Sequence, residues 1–140
     1  MKKNILLLLS ILFLPGIAFG ELVVREPFSE KAGDAAKGKV LYDANCVRCH
    51  GEKGDGEGPD AGNMYPKPRN FLTGLFKFKT SAFKEKRPLD RDLYQTVSDG
   101  LPGSAMPAWK SSLSIDDRKH VIAYVKQLAK ISGEATDKVS

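Results

Sequence analysis

Residues 46–50 read Cys-Val-Arg-Cys-His, and they hold both cysteines of a 140-residue chain and one of its two histidines. The stretch Gly-Glu-Lys-Gly-Asp-Gly-Glu-Gly-Pro-Asp follows directly. Two thiols and an imidazole inside five residues can be used in few ways. A structural zinc site needs four ligands at suitable spacing. The fourth here would be the distant His120, and the adjacent Cys49 and His50 fit one tetrahedron badly. A thioredoxin-like dithiol expects a strand–helix–strand setting, and no such pattern surrounds this motif.

The third reading is C-x-x-C-H as the attachment motif of a c-type haem. Cys46 and Cys49 then form thioethers with the two vinyl groups, and His50 coordinates the iron. One motif implies one covalent haem c.

The N-terminus fits that chemistry. Lys2 and Lys3 precede an apolar run from Ile5 to Phe19, and Ala18-Phe19-Gly20 has the small residues of a cleavage site after Gly20. The run is broken by Pro15-Gly16 and is shorter than the roughly 20 residues that span a bilayer. Residues 1–20 therefore read as a cleaved signal peptide, with a periplasmic product and no stable membrane insertion after cleavage. The product carries 20 Lys and Arg against 17 Asp and Glu, a balance far from a nucleic-acid binder's footprint. Outside the cytoplasm two idle thiols tend to pair, so a use for them is needed.

Residues 21–33 read as an N-terminal extension, 34–132 as one domain and 133–140 as a tail. Three helices are predicted. The first covers about 35–45 behind Asp34 as N-cap. The second is LDRDLYQTVSDG, with Leu89, Leu93 and Val97 four apart and Gly100 as its stop. The third is SIDDRKHVIAYVKQLAKI, capped by Ser114 and Asp117. Its positions Val121, Ile122, Val125, Leu128 and Ala129 follow a helical period. About 43 irregular residues separate the first two helices, a length that compact domains seldom tolerate. Three short helices also make a thin core for such a chain. Both features ask for a large apolar group to wrap around.

The sixth iron position has three candidates. Met106 stands in GLPGSAMPAWK, a loop bounded by Gly and Pro, 56 residues beyond His50. Met64 follows His50 by only 14 residues and would have to turn sharply around the ring edge. His120 sits beside Lys119, away from the Val121/Val125 stripe, and reads as a solvated surface side chain. Met106 is the expected ligand; a thioether raises the potential.

CVRCHG and DGLPGSAMPAW together resemble the attachment site and axial-methionine loop of class I c-type cytochromes, bacterial monohaem electron carriers, over about residues 34–131. The resemblance implies an all-α cytochrome c fold, with three main helices and long loops wrapped around one covalent haem. It implies that Gly38 and Tyr42 let the first helix cross the last closely, against Val121 and Tyr124. It further implies that His50 donates to a backbone carbonyl, with Pro59, Pro66 and Pro68 as candidates and the PKPRNF stretch favoured; Pro68 is counted among the haem-binding residues. Arg69 and Trp109 would contact the haem, Arg69 through a propionate and Trp109 chiefly by packing. The function implied is a monomeric one-electron carrier between a protein donor and a protein acceptor, not an enzyme. The alternative is a dedicated haem subunit of a larger oxidoreductase. The lysines of GLFKFKTSAFKEKR give a basic patch that could serve docking.

Overall fold

The computed structural model describes residues 31–81 and 87–131. The expected signal peptide, most of the extension and the tail lie outside the described residues, as do residues 82–86 of the basic segment.

The Asp34 carboxylate accepts the backbone N–H groups of Ala36 at 2.8 Å and Lys37 at 3.2 Å, opening helix α1 (Ala35–Asn45) as predicted. Cys46 closes α1 in a right-handed helical conformation, and a one-turn helix, α2 (Val47–His50), starts immediately after it. Helix α3 (Asp90–Asp99) and helix α4 (Ile115–Leu128) complete the set. At the start of α4 the Ser114 hydroxyl accepts the Asp117 N–H at 3.1 Å, and the Asp117 carboxylate accepts the Ser114 N–H at 3.2 Å. The described residues contain no strand.

The connection between α1 and α3 is more regular than composition predicts. It holds α2 and two 3-10 turns, Ala61–Asn63 and Phe71–Thr73. Elements of three or four residues are too short to display an apolar period, so the sequence does not announce them. The end of this connection is tied down by Asp92, a buried carboxylate on α3. It accepts from the Thr80 N–H at 2.9 Å, the Thr80 hydroxyl at 2.8 Å and the Leu89 N–H at 3.0 Å.

Helix α1 packs on α4 at Gly38. A Cβ there would lie 1.8 Å from the His120 carbonyl oxygen and 3.0 Å from the Tyr124 Cβ, so no larger residue allows this approach. Tyr42, fully buried, meets Tyr124 edge-on at 5.2 Å between ring centroids. The crossing expected of Gly38 and Tyr42 is therefore present. The reading of His120 as a solvated surface residue is corrected. His120 is half-buried, and its Nδ1 accepts the Asp34 backbone N–H at 2.8 Å. Close backbone packing at Gly38 carries the start of α1 over the polar edge of α4, which helical periodicity alone assigns to water.

The apolar core falls into two clusters. Tyr42, Phe71, Val121, Tyr124, Val125 and Ala129 form one; Leu93, Tyr94 and Ile122 form the other. Phe76 touches both.

Gly38→Ala should destabilise the protein by about 1–3 kcal/mol through overpacking, whereas Val40→Ala, at a position 70% exposed, should stay within about 0.5 kcal/mol. Denaturant melts followed by circular dichroism check this. Acid has a defined sign as well. Backbone N–H donors lower the Asp34 pKa, the Ser114 hydroxyl lowers that of Asp117, and the Arg48 guanidinium lowers that of Asp60. Groups lowered on folding contribute stability that is fully present above the unfolded carboxylate value of about 3.9 and lost as pH falls through the folded values. Asp34→Asn should flatten the stability profile in that range, as acid titrations of wild type and variant would display.

Candidate functional site

The one-turn α2 explains why the motif has its spacing. The His50 N–H donates to the Cys46 carbonyl at 2.8 Å and the Cys49 N–H to the same oxygen at 3.2 Å. Positions i, i+3 and i+4 of a helical turn share one face, so Cys46, Cys49 and His50 are presented together. All three line one cavity, of about 580 Å³. Both thiols are free, and Cys46 is pushed up to about 11 by burial and then by the neighbouring Cys49.

The loop after α2 is folded back on it. The Tyr42 hydroxyl donates to the Gly51 carbonyl at 2.8 Å, and the Gly56 N–H donates to the His50 carbonyl at 2.9 Å. Arg48 and Asp60 close the same turn from outside, with Nε to Oδ2 at 2.8 Å.

The carbonyl that meets His50 belongs to Arg69, at 3.1 Å from Nδ1. It is not the carbonyl of Pro59, Pro66 or Pro68, although it lies within the favoured PKPRNF stretch, one residue past Pro68. A carbonyl can only accept, so Nδ1 carries the proton and Nε2 keeps its lone pair. Burial lowers the His50 pKa, against the smaller opposing effect of this bond, so the ring is neutral in neutral water. Phe71 lies flat against the imidazole, with centroids 4.6 Å apart and planes 19° apart. Sequence reading missed Phe71, since an apolar residue in a loop carries no signal of what it stacks on.

The structure brings Pro68, Arg69, Met106 and Trp109 to this cavity, and Met64 as well. Pro59 does not line it, and His120 is engaged at the α1–α4 crossing instead. Met106 sits on a loop fastened at both ends. The Leu101 N–H donates to the Met106 carbonyl at 3.2 Å, and the Met106 N–H donates to the Ser104 hydroxyl at 3.2 Å. Beyond it, the Trp109 N–H donates to the Val97 carbonyl at 3.1 Å. Gly100 makes the fold-back feasible: its φ is +68°, and a Cβ would lie 2.7 Å from the Met106 carbonyl oxygen. The Arg69 side chain is turned onto its own loop, Nε donating to the Leu75 carbonyl at 2.6 Å with Nη2 on the same oxygen.

The donor set suits haem and does not suit zinc. Among the described residues no group of three or more His, Cys, Asp or Glu could hold a metal ion alone. The cavity walls come from both core clusters, Tyr42, Phe71 and Val121 from one and Leu93 and Ile122 from the other. A flat apolar group held there would join the two halves of the core.

Residues 33–125 match the family described as cytochrome c oxidase, cbb3-type, subunit III. Cytochrome c-554(547) of Halothiobacillus neapolitanus is 37% identical over 98 residues, covering 69% of this chain and 99% of that protein. The cbb3-type oxidase subunit CcoP of Azospirillum sp. (strain B510) is 36% identical over 101 residues, but the match spans only 29% of that longer protein. A solved structure described as the Kuenenia stuttgartiensis reducing HAO-like protein complex Kustc0457/Kustc0458 superimposes with a TM-score of 0.63 at 35% identity, over 74% of this chain and 45% of that one. The chain belongs to the c-type cytochromes, within the family of cbb3-type oxidase subunit III domains. Covalent haem c is the cofactor of such a domain, and the pair Cys46 and Cys49 has the spacing its attachment requires.

Phe71→Ala removes a buried ring that packs on both His50 and Tyr42. It should cost about 3–5 kcal/mol of holoprotein stability and broaden the ferric low-spin resonance signal, since the imidazole loses its flat neighbour. Melting curves and electron paramagnetic resonance test the two effects separately.

Proposed function

We propose that Cys46 and Cys49 would tether a haem, that His50 Nε2 and the Met106 thioether would hold its iron, and that the chain is a periplasmic one-electron carrier rather than an enzyme. The observation that carries this reading is the Nδ1–Arg69 bond. It fixes the His50 tautomer that can bind iron while the Met106 loop lines the same cavity. When bound, a haem with two strong protein ligands supplies reversible one-electron exchange between Fe(III) and Fe(II).

The chain's own residues do the rest. The Arg69 carbonyl holds the Nδ1 proton and keeps the imidazole from turning, the kind of outer contact that raises ligand basicity. Phe71 blocks rotation of the ring from its flat side. Leu93, Val97, Val121 and Ile122 give the cavity apolar walls, which would lower the local dielectric around a bound haem. Trp109 lines the cavity beside Met106, and Arg69, its guanidinium now held on the Leu75 carbonyl, would be the side chain to meet a propionate. A redox protein with an acidic surface is the partner suited to the lysines of residues 74–87. Residues 1–20 act as the export signal; among the described residues no helix is long and apolar enough to cross a membrane.

A second reading is favoured by the family match and by the solved complex. The chain would serve as the haem subunit of a larger oxidoreductase. Native mass of the protein isolated from the periplasm separates the two, a free carrier running as a monomer.

Expressed with c-type maturation machinery, the product should begin at Glu21 and keep one haem through denaturation and acid–acetone extraction. Cys46→Ser or Cys49→Ser should sharply reduce covalent haem. Ferric wild type should show the weak red absorption band of thioether ligation and bind cyanide slowly. Met106→Ala should abolish the band, lower the potential and bind cyanide rapidly, while Met64→Ala should change neither. A band that survives Met106→Ala would pass the assignment to Met64, and rapid carbon monoxide binding by ferrous wild type would favour an enzyme.

A further inference from the structure

Arg118 is the most deeply buried charged side chain of the described residues, with 1% of its surface exposed. It lies in the first turn of α4, on neither the haem motif nor the methionine loop. Its Nη1 donates to the Ser98 hydroxyl at 2.6 Å, and its Nε donates to the Ser114 carbonyl at 3.3 Å. Its guanidinium carbon stands 4.9 Å from the centroid of the Tyr94 ring. One side chain thus joins the start of α4 to the last turn of α3.

That last turn is where the Met106 loop is moored. The Val97 carbonyl accepts the Trp109 N–H, and the Ser98 carbonyl accepts the Lys110 N–H, each at 3.1 Å. The Trp109 carbonyl in turn accepts the Leu113 N–H at 2.8 Å, returning the chain toward the Ser114 cap. Arg118 therefore grips both ends of a closed circuit, Ser98 where the loop leaves and Ser114 where it arrives. The charge-assisted bond to Ser98 is short, the one to Ser114 longer, and a buried planar fork holds both partners in fixed geometry.

A second tie joins the same two helices at their other end. Lys126 Nζ lies 2.6 Å from Asp90 Oδ1, between the end of α4 and the start of α3. This pair is far along both helices from the loop, so it provides an internal control.

We propose that Arg118 is a positioning residue for Met106: through Ser98 and Ser114 it sets how readily the loop lets the thioether leave the iron. The proposal rests on the axial reading given above. It concerns the opening of the loop and not the stability of the fold, so its test needs a readout that global stability does not move.

The experiment measures, on holoprotein, the cyanide association rate of the ferric form and the intensity of its red band, beside the global denaturation midpoint. Arg118→Met and Ser98→Ala are each expected to speed cyanide binding roughly tenfold, the factor that loss of one hydrogen bond to a charged group supplies. Arg118→Lys should recover part of the loss. Lys126→Met, compared at equal global stability by adjusting denaturant, should leave rate and band unchanged. Ser98→Ala keeps Arg118 in place and carries the test alone if Arg118→Met yields no holoprotein. Wild-type rates in Ser98→Ala, or equal acceleration in Lys126→Met, would overturn the proposal. Wild type that lacks the band and binds cyanide as fast as Met106→Ala would instead sink the axial reading, and the proposal with it.

Discussion

An apolar cavity of about 580 Å³ at the centre of a small domain is the constraint on which everything else in this protein depends. Protein interiors are close-packed, and the stability of a domain comes from apolar surface removed from water. Here the buried side chains form two clusters that share the cavity walls. Either cluster by itself is too small for a domain of this length. Covalent haem would fill the centre of that core, with Cys46, between α1 and α2, and Cys49, on α2, as its proposed tethers. Cofactor binding and folding are in this sense one process.

Helix α1 and helix α4 form the frame that the chain can build from its own residues. Gly38 lets their backbones touch, Tyr42 and Tyr124 interlock, and the Asp34 N–H is satisfied by His120 across the crossing. The frame delivers α2 at a fixed angle, because α2 follows α1 with one intervening residue. Apart from α3, the rest is mostly looped chain fastened at chosen points: Arg69 to His50 and to Leu75, Asp92 to Thr80, Val97 to Trp109. The methionine side is thus held by hydrogen bonds to α3, and the histidine side by the frame.

Much of this was legible in the sequence, for identifiable reasons. Caps advertise themselves by residue type, so Asp34, Ser114 with Asp117, and Gly100 marked helix ends that the structure reproduces. The motif itself announces its chemistry, because few reactions use two thiols and an imidazole at that spacing. What the sequence hid depends on backbone register in loops. The carbonyl facing His50 is that of Arg69 and not of a proline, a one-residue difference that no side-chain pattern encodes. His120 was misread because periodicity treats α4 as an isolated cylinder, whereas Gly38 brings a second backbone over its polar edge. Asp92 and Arg118 stand at polar positions of amphipathic helices, yet both are buried, and each has a partner on another segment, Thr80 for Asp92 and Ser98 for Arg118.

The central claim is that the haem completes the core, so the most direct measurement is amide hydrogen exchange on the protein with and without it. The cysteine pair replaced by serine in haem-free expression gives the second sample. The account predicts strong protection of α1, α3 and α4 in the holoprotein. It predicts collapse of protection in α3 and the Met106 loop without haem, with at most residual protection where α1 crosses α4. A haem-free chain that unfolds cooperatively, with native-like protection in all three helices, would contradict it.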